Sequence, residues 1–241
     1  MKAYTADQIR TAERPLLDAG VPLMHRAAAA LAREITGLLA DRGRPLDAAR
    51  VLLLIGPGDN GGDALYAGRD LADQGVAVSV LPVADRAHAA GLEAARAAGA
   101  DVLVDPGADR DAVVSAAGRA ARSADMIVDG ILGTGARHGD AAALRGMPRA
   151  AVAAVLEALA ATRPDSRPAV VAVDVPSGID VDSGAVPDQT VLPATLTVTF
   201  GAAKAGLLRS PARELAGELS VIDIGLGPQL ADVPPALVVD D

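Results

Sequence analysis

Apolar residues are distributed in two different ways along this chain. Up to about residue 43 they recur at helical spacing. Thr5-Ala6-Asp7-Gln8 reads as a capping box, Ile9, Leu16 and Leu17 keep one face after it, and a second helix opens at Pro22 and runs to about Gly43. These two helices predict an N-terminal cap ahead of the first strand. From Arg50 the texture changes to VLLLIG, a short apolar run closed by glycine, which suits a strand buried on both faces of a parallel sheet. Further strands are predicted at 76–81, 102–104, 126–129, 169–174, 196–200 and 219–224, with Ala-rich helical stretches at 62–75, 86–99, 109–122 and 141–162. Strands alternating with such helices imply βαβ crossovers and one three-layer α/β/α domain over residues 1–241, its sheet mostly parallel and doubly wound. Little helix separates the last two strands, which predicts an irregular sheet edge.

In open α/β sheets ligands bind beyond the carboxyl ends of the strands, near the point where strand order reverses. Three predicted strand ends carry unusual loops: GPGDNGGD, DGILGTGARHG and DVPSGID. The first contains G-x-G-x-x-G, and Asp85 follows near the end of the second strand, the arrangement of a nicotinamide-dependent oxidoreductase. Two carboxylates, Asp59 and Asp63, stand where a pyrophosphate would approach. Asp63 also reads as a helix cap and Asp59 as a solvated loop residue. An acidic glycine loop better suits a ligand with a hydroxyl and an amide to bind, or a cation beside phosphates.

Composition narrows the classes. Hydrophobic residues are 51% and aromatics 1%, so Leu, Val, Ile and Ala must fill the core. The formal charge of -9 and a pI near 4.8 disfavour nucleic-acid and membrane-surface binding, without excluding a small phosphorylated ligand in one pocket. With no Cys, disulfides, iron–sulfur clusters and thiolate zinc sites are ruled out, and a cytoplasmic enzyme is expected. The N-terminus lacks the order of a secretory signal, and no segment is apolar enough to predict a membrane span.

GPGDNGGDALYAGRDL resembles the GPGNNGGDGLVAARHL-type motif of the NAD(P)H-hydrate epimerases, the YjeF N-terminal domain family. VDGILGTG is similar to that family's VDALFGTG, VAVDVPSGID to its D-x-PSG-x-D segment, and TVTFGAAKAGLL with VIDIGLG to its closing segments. TADQIRTAERPLLDAGVPLMHRAAAALA resembles its paired N-terminal helices. The departures are Asp59 for the first Asn of NNGGDG, Ala64 for its last Gly, Ile131-Leu132 where an aromatic is common, and His25 where an acidic residue or Gln is frequent.

The resemblance implies a Rossmann-like fold and repair of damaged nicotinamide cofactors. Hydration of NADH or NADPH puts a hydroxyl on C6 of the reduced ring; the family interconverts the two epimers, NADHX or NADPHX, so that an ADP/ATP-dependent dehydratase specific for one can use both. It further implies one potassium ion per subunit on Asn60, Asp129 and Ser177, all oxygen ligands suited to a hard cation. Substrate contacts would come from Asp59, Asn60, Gly61, Gly62 and Asp63, from Gly133, Thr134, Gly135, Ala136, Arg137, His138 and Gly139, and from Asp174. Asp129 is the candidate catalytic carboxylate, acting as base and stabilising an iminium ion, with water delivering the proton. A homodimer is the expected assembly, and the chain ends about where a fused dehydratase would begin.

Lys204 reads equally as an orienting residue and as a surface lysine, and His25 and His88 fall on predicted helices away from the crevice. Two other classes compete. An oxidoreductase would need a catalytic pair, and Tyr4 and Tyr66 are poorly placed for one. A non-catalytic nucleotide- or RNA-binding or dimerisation module would tend to lose the acidic residues retained here as Asp63, Asp129 and Asp174.

Overall fold

The computed structural model describes residues 1–135 and 139–239. A short strand β1 (Lys2–Tyr4) leads into α1 (Ala6–Asp18), where Thr5 Oγ1 accepts from the Gln8 amide at 3.2 Å and Gln8 Oε1 accepts from the Thr5 amide at 2.9 Å, the expected capping box. After α2 (Leu23–Asp41) the chain alternates through β2 (Arg50–Ile55), α3 (Asp59–Asp73), β3 (Ala77–Pro82), α4 (Ala89–Ala97), β4 (Asp101–Val102), α5 (Arg110–Ser123), β5 (Met126–Gly130), α6 (Gly146–Ala160) and β6 (Ala169–Val173). It closes with β7 (Leu196–Phe200), β8 (Ala203–Lys204), α7 (Ala212–Ala216), β9 (Glu218–Ile222), α8 (Gly227–Leu230) and β10 (Leu237–Val238).

Seven strands form one parallel sheet in the order β4-β3-β2-β5-β6-β7-β9. Side chains alternate across it: Val51, Leu53 and Ile55 of β2 face a core shared with α2, α3 and α4, while Leu52 and Leu54 face one shared with α5 and α6. This is the three-layer, doubly wound architecture. The chain runs outward from β2 to β4, returns to β5, and runs outward again, so strand order reverses between β2 and β5. Their register sets Leu54 opposite Asp129 and Ile55 opposite Gly130.

Several local expectations are corrected. β1 precedes the helical pair and, with β8 and β10, forms a second, three-stranded sheet. Three-residue and two-residue strands carry too short a pattern to read. The helix expected over 141–162 starts at Gly146, because a 3-10 turn, Gly139–Ala142, occupies its first residues. β9 pairs regularly with β7 from Leu196↔Glu218 to Phe200↔Ile222, so that edge is not irregular. The irregular segment is instead residues 174–195, which contain neither helix nor strand and pack Val175, Ile179, Val181 and Val191 against Ala6, Leu207, Ala212 and Ala216 in a small separate core. Among the described residues, no helix is long and apolar enough to cross a membrane.

Candidate active site

The loops after β2, β5 and β6 meet at the reversal point. Gly56 and Ile131 touch there so closely that a Cβ on Gly56 would lie 1.8 Å from the Ile131 carbonyl oxygen, a requirement only glycine meets. The loop then turns into α3, whose N-cap is Gly58 with no side-chain cap. Asp63 therefore does not cap this helix: it sits in the second turn and faces the cleft. Asp59 occupies the first turn and is exposed.

Beneath that turn, Asp129 at the end of β5 is 1% exposed. One of its carboxylate oxygens accepts from the Ser177 amide at 2.8 Å; the other accepts from the Ser177 hydroxyl at 2.6 Å and the Ile131 amide at 3.3 Å. Ser177 Oγ also accepts from the Leu132 amide at 2.9 Å, and Asn60 Nδ2 donates to the Leu132 carbonyl at 3.1 Å. Asn60 and Ser177 thus both bond to Leu132, and Ser177 bonds in turn to Asp129. Burial pushes the Asp129 carboxyl above its ordinary range, against the pull of the hydrogen bonds from Ser177 and Ile131. Neither Asp129 nor Ser177 lines the open cleft; both lie under its floor.

Asp174, at the end of β6, is the only non-glycine residue with a positive φ among the described residues, at 65°, a conformation Asp tolerates better than most. Its Oδ1 accepts from Thr199 Oγ1 at 3.1 Å, from the Phe200 amide at 3.3 Å and from Lys204 Nζ. Lys204 is 1% exposed, and its ammonium also donates to Thr199 Oγ1 at 2.9 Å and to the Phe200 carbonyl at 2.8 Å. The surface-lysine reading is thereby overturned. This ion pair fixes one corner of the site.

Above the floor opens a cleft of about 630 Å³. Asp59, Asn60, Asp63, Gly133, Thr134, Gly135 and Asp174 line it, but Gly61, Gly62 and Gly139 do not: the first two are buried in the first turns of α3, and Gly139 opens the 3-10 turn beyond the cleft. The sequence reading missed one whole wall. Arg10, Glu13, Arg14 and Leu17 of α1 lie along the cleft at the i, i+3, i+4, i+7 spacing of a single helical face. That spacing was legible, but nothing in the sequence distinguished this face from a solvated one. Burial raises the Glu13 carboxyl, and it raises Asp63 well above the ordinary value, reinforced by the nearby charges of Asp174, Asp59 and Glu13.

The turn after the PSG motif ties the walls together. Asp180 accepts from the Gly139 amide, holding the far end of the glycine segment, and Asp182 accepts from the Ala6 amide at 2.7 Å, holding the start of α1. Ala136, Arg137 and His138 lie outside the described residues. His25 and His88 do not line the cleft; they flank Tyr66, with ring centroids 4.7 and 5.7 Å from it, and His88 is the N-cap of α4 rather than part of the helix.

The family model for YjeF-related protein N-terminus matches residues 21–206. A protein of Clavibacter michiganensis named NAD(P)H-hydrate epimerase is 48% identical over 223 residues, which cover 92% of this chain and 90% of that one. A Microbacterium testaceum protein of the same name is 48% identical over 98% of this chain and 83% of its own. The bifunctional NAD(P)H-hydrate repair enzyme of Mycobacterium tuberculosis is 40% identical, the match covering 95% of this chain but 43% of that longer protein. A yeast protein of known crystal structure shares the fold, with a TM-score of 0.71 at 19% identity over 92% of this chain and 88% of its own.

Proposed function

The chain belongs to the YjeF-related N-terminus family, and from that premise we propose that it epimerises hydrated NADH and NADPH at C6 of the nicotinamide ring, as a step in cofactor repair. The observation that carries this reading is the match over 90% of an epimerase relative, combined with the gathering of the motif residues at the reversal point of the sheet.

The chemistry asks for a proton and for stabilised positive charge. The ring-nitrogen lone pair expels the C6 hydroxyl as water once that hydroxyl takes a proton, leaving an iminium ion. Water then adds to either face and returns the proton, so no electrons change hands. Asp63 fits the donor: it faces the cleft, and its raised pKa keeps it protonated to a higher pH than an ordinary aspartic acid. Once ionised it offsets the cation and can take the proton back. Asp129 supplies a second negative charge from beneath the floor, where exclusion of water strengthens its field at the ring. The open N-terminal turn of α3 presents amide groups to the diphosphate.

Asn60, Ser177 and Asp129 would hold a potassium ion. Their amide, hydroxyl and carboxylate oxygens are the donor types a hard cation takes, although here the Asn60 amide nitrogen and the Ser177 hydroxyl both point their hydrogens at the Leu132 carbonyl, and Asp129 is bonded to Ser177; among the described residues no three His, Cys, Asp or Glu side chains are grouped to hold a metal. When bound, that ion keeps Asp129 ionised. The longer repair-enzyme relatives support a dehydratase as the consumer of the product, either fused or separate.

Proton NMR of separated NADHX and NADPHX epimers tests the reading. The protein is expected to equilibrate R and S without redox change, and Asp129→Asn to lower the rate by about 10²- to 10⁴-fold while remaining folded. Stable epimers in the presence of the wild-type protein would refute the activity; undiminished turnover by Asp129→Asn would remove that residue from the mechanism.

A further inference from the structure

We infer that α1 supplies the phosphate-recognising group of the cleft, Arg14, with Arg10 beside it. The inference rests on the substrate being a dinucleotide, and it concerns a wall that the family motifs in the loops do not reach.

A dinucleotide brings at least two negative charges into a cleft that already presents Glu13, Asp59, Asp63 and Asp174. Among the described residues that line it, the cations are Arg10, Arg14 and Lys204. Lys204 is unavailable, since its three donated bonds go to Asp174, Thr199 and Phe200 and it is 1% exposed. Arg10 is partly engaged: one nitrogen pairs with Asp7 and another donates to the Thr134 carbonyl at 2.6 Å. Arg14 is exposed and has no hydrogen-bond or ion-pair partner among the described residues.

The bond from Arg10 also fixes where α1 stands. It joins the helix to the Gly133–Gly135 segment, so Arg14, one turn further along the same face, overhangs the cleft instead of open solvent. A guanidinium offers a planar fork that meets two phosphate oxygens at once, and holding it without an acidic partner costs little while the side chain stays hydrated. A net acidic protein thus acquires a local cationic site for an anionic ligand. Either the diphosphate or the 2′-phosphate of an NADPH hydrate has the required chemistry.

Titration calorimetry of NADHX and NADPHX, at low and high salt, against the wild type, Arg14→Ala, Arg14→Lys and Arg10→Ala tests this. Arg14→Ala is expected to weaken binding about 10-fold at low salt, with a shallower salt dependence, and Arg14→Lys to recover part of the loss. Equal losses for both hydrates assign Arg14 to the diphosphate; a loss confined to NADPHX assigns it to the 2′-phosphate. Unchanged affinity of Arg14→Ala for both hydrates at low salt would overturn the inference. Wild-type binding without epimerisation would refute the proposed activity and leave the arginine result standing, whereas no wild-type binding at all would refute both.

Discussion

The floor of the cleft and its α1 wall solve opposite problems with the same kinds of residue. On the floor, Asp129, Asp174, Ser177 and Lys204 are buried, and each polar side chain is held by several partners. On the wall, Arg10 and Arg14 are exposed, and Arg14 has no partner among the described residues. Removing a charge from water costs several kcal/mol, so a buried charge persists only where neighbours fix it in place. The floor is therefore preorganised, whereas the wall keeps its charge hydrated and available. Under the proposed function, the first sets the geometry for the reacting ring and the second adds a cation for the phosphates.

The largest expected effect lies at the floor's corner. Lys204→Met leaves the Asp174 carboxylate buried with Thr199 and the Phe200 amide as its remaining donors, and breaking a buried pair from one side costs about 3–5 kcal/mol. Urea denaturation should show that loss, and the double variant with Asp174→Asn should recover part of it, because Asn is neutral and accepts a positive φ. A loss below about 1 kcal/mol for Lys204→Met would mean that the pair does not hold the corner.

Asp63 belongs to neither extreme, being half-buried and open to the cleft. Burial, reinforced by the charges of Asp174, Asp59 and Glu13, holds its folded-state pKa well above that of an aspartate in the unfolded chain. Below the unfolded chain's pKa both folded and unfolded states hold the proton. As pH rises, the unfolded chain releases it first, so the stability contributed by the protonated form declines and is lost once pH passes the folded pKa. Asp63→Asn should accordingly melt higher than wild type at neutral pH and nearly level with it in acid, while its epimerase rate falls about 10²-fold. The wild-type rate should decline as pH rises through the Asp63 pKa. A variant less stable at neutral pH would show that Asp63 is not strained by burial, and one that keeps full activity would show that it is not the proton donor.

The floor and the wall also differ in how they are written in the sequence. Strand runs such as VLLLIG and MIVDG are almost purely apolar, so the loops at strand ends stand out, and within them Asp129, Asp174 and Ser177 are picked out by the motifs the chain shares with the family. Burial of Lys204 was hidden because its partner lies thirty residues earlier, at the end of a strand of the other sheet, and not at a local spacing. The α1 face was hidden for a different reason. Arg10, Glu13 and Arg14 form the polar side of an amphipathic helix, and Leu17, expected on the apolar face with Ile9 and Leu16, lies exposed beside them; such a side reads as solvated unless something is known to pack opposite it. What stands opposite is the Gly133–Gly135 segment, more than a hundred residues away.

Asp59 tests the boundary between the two regions, and its effect should be the smallest. It is exposed in the first turn of α3, where its charge favours the helix by about 0.3–1 kcal/mol yet faces the approaching diphosphate. At roughly 6 Å and an effective dielectric of 60–80, one charge pair repels by about 1 kcal/mol, or ~5-fold in affinity. Asp59→Asn should therefore bind NADPHX about 5-fold more tightly at low salt, and the gain should fade within a Debye length of ~10 Å at 0.1 M salt. A cationic role predicts the reverse. If Asp59 helps retain potassium at Asn60, its neutralisation weakens the ion's hold, and nucleotide affinity drops most when potassium is scarce. Titrating both forms with NADPHX at two potassium concentrations separates the cases by sign: a gain independent of potassium places Asp59 with the repulsive carboxylates of the cleft, a potassium-dependent loss places it with the floor, and identical curves would show that its charge reaches neither ligand.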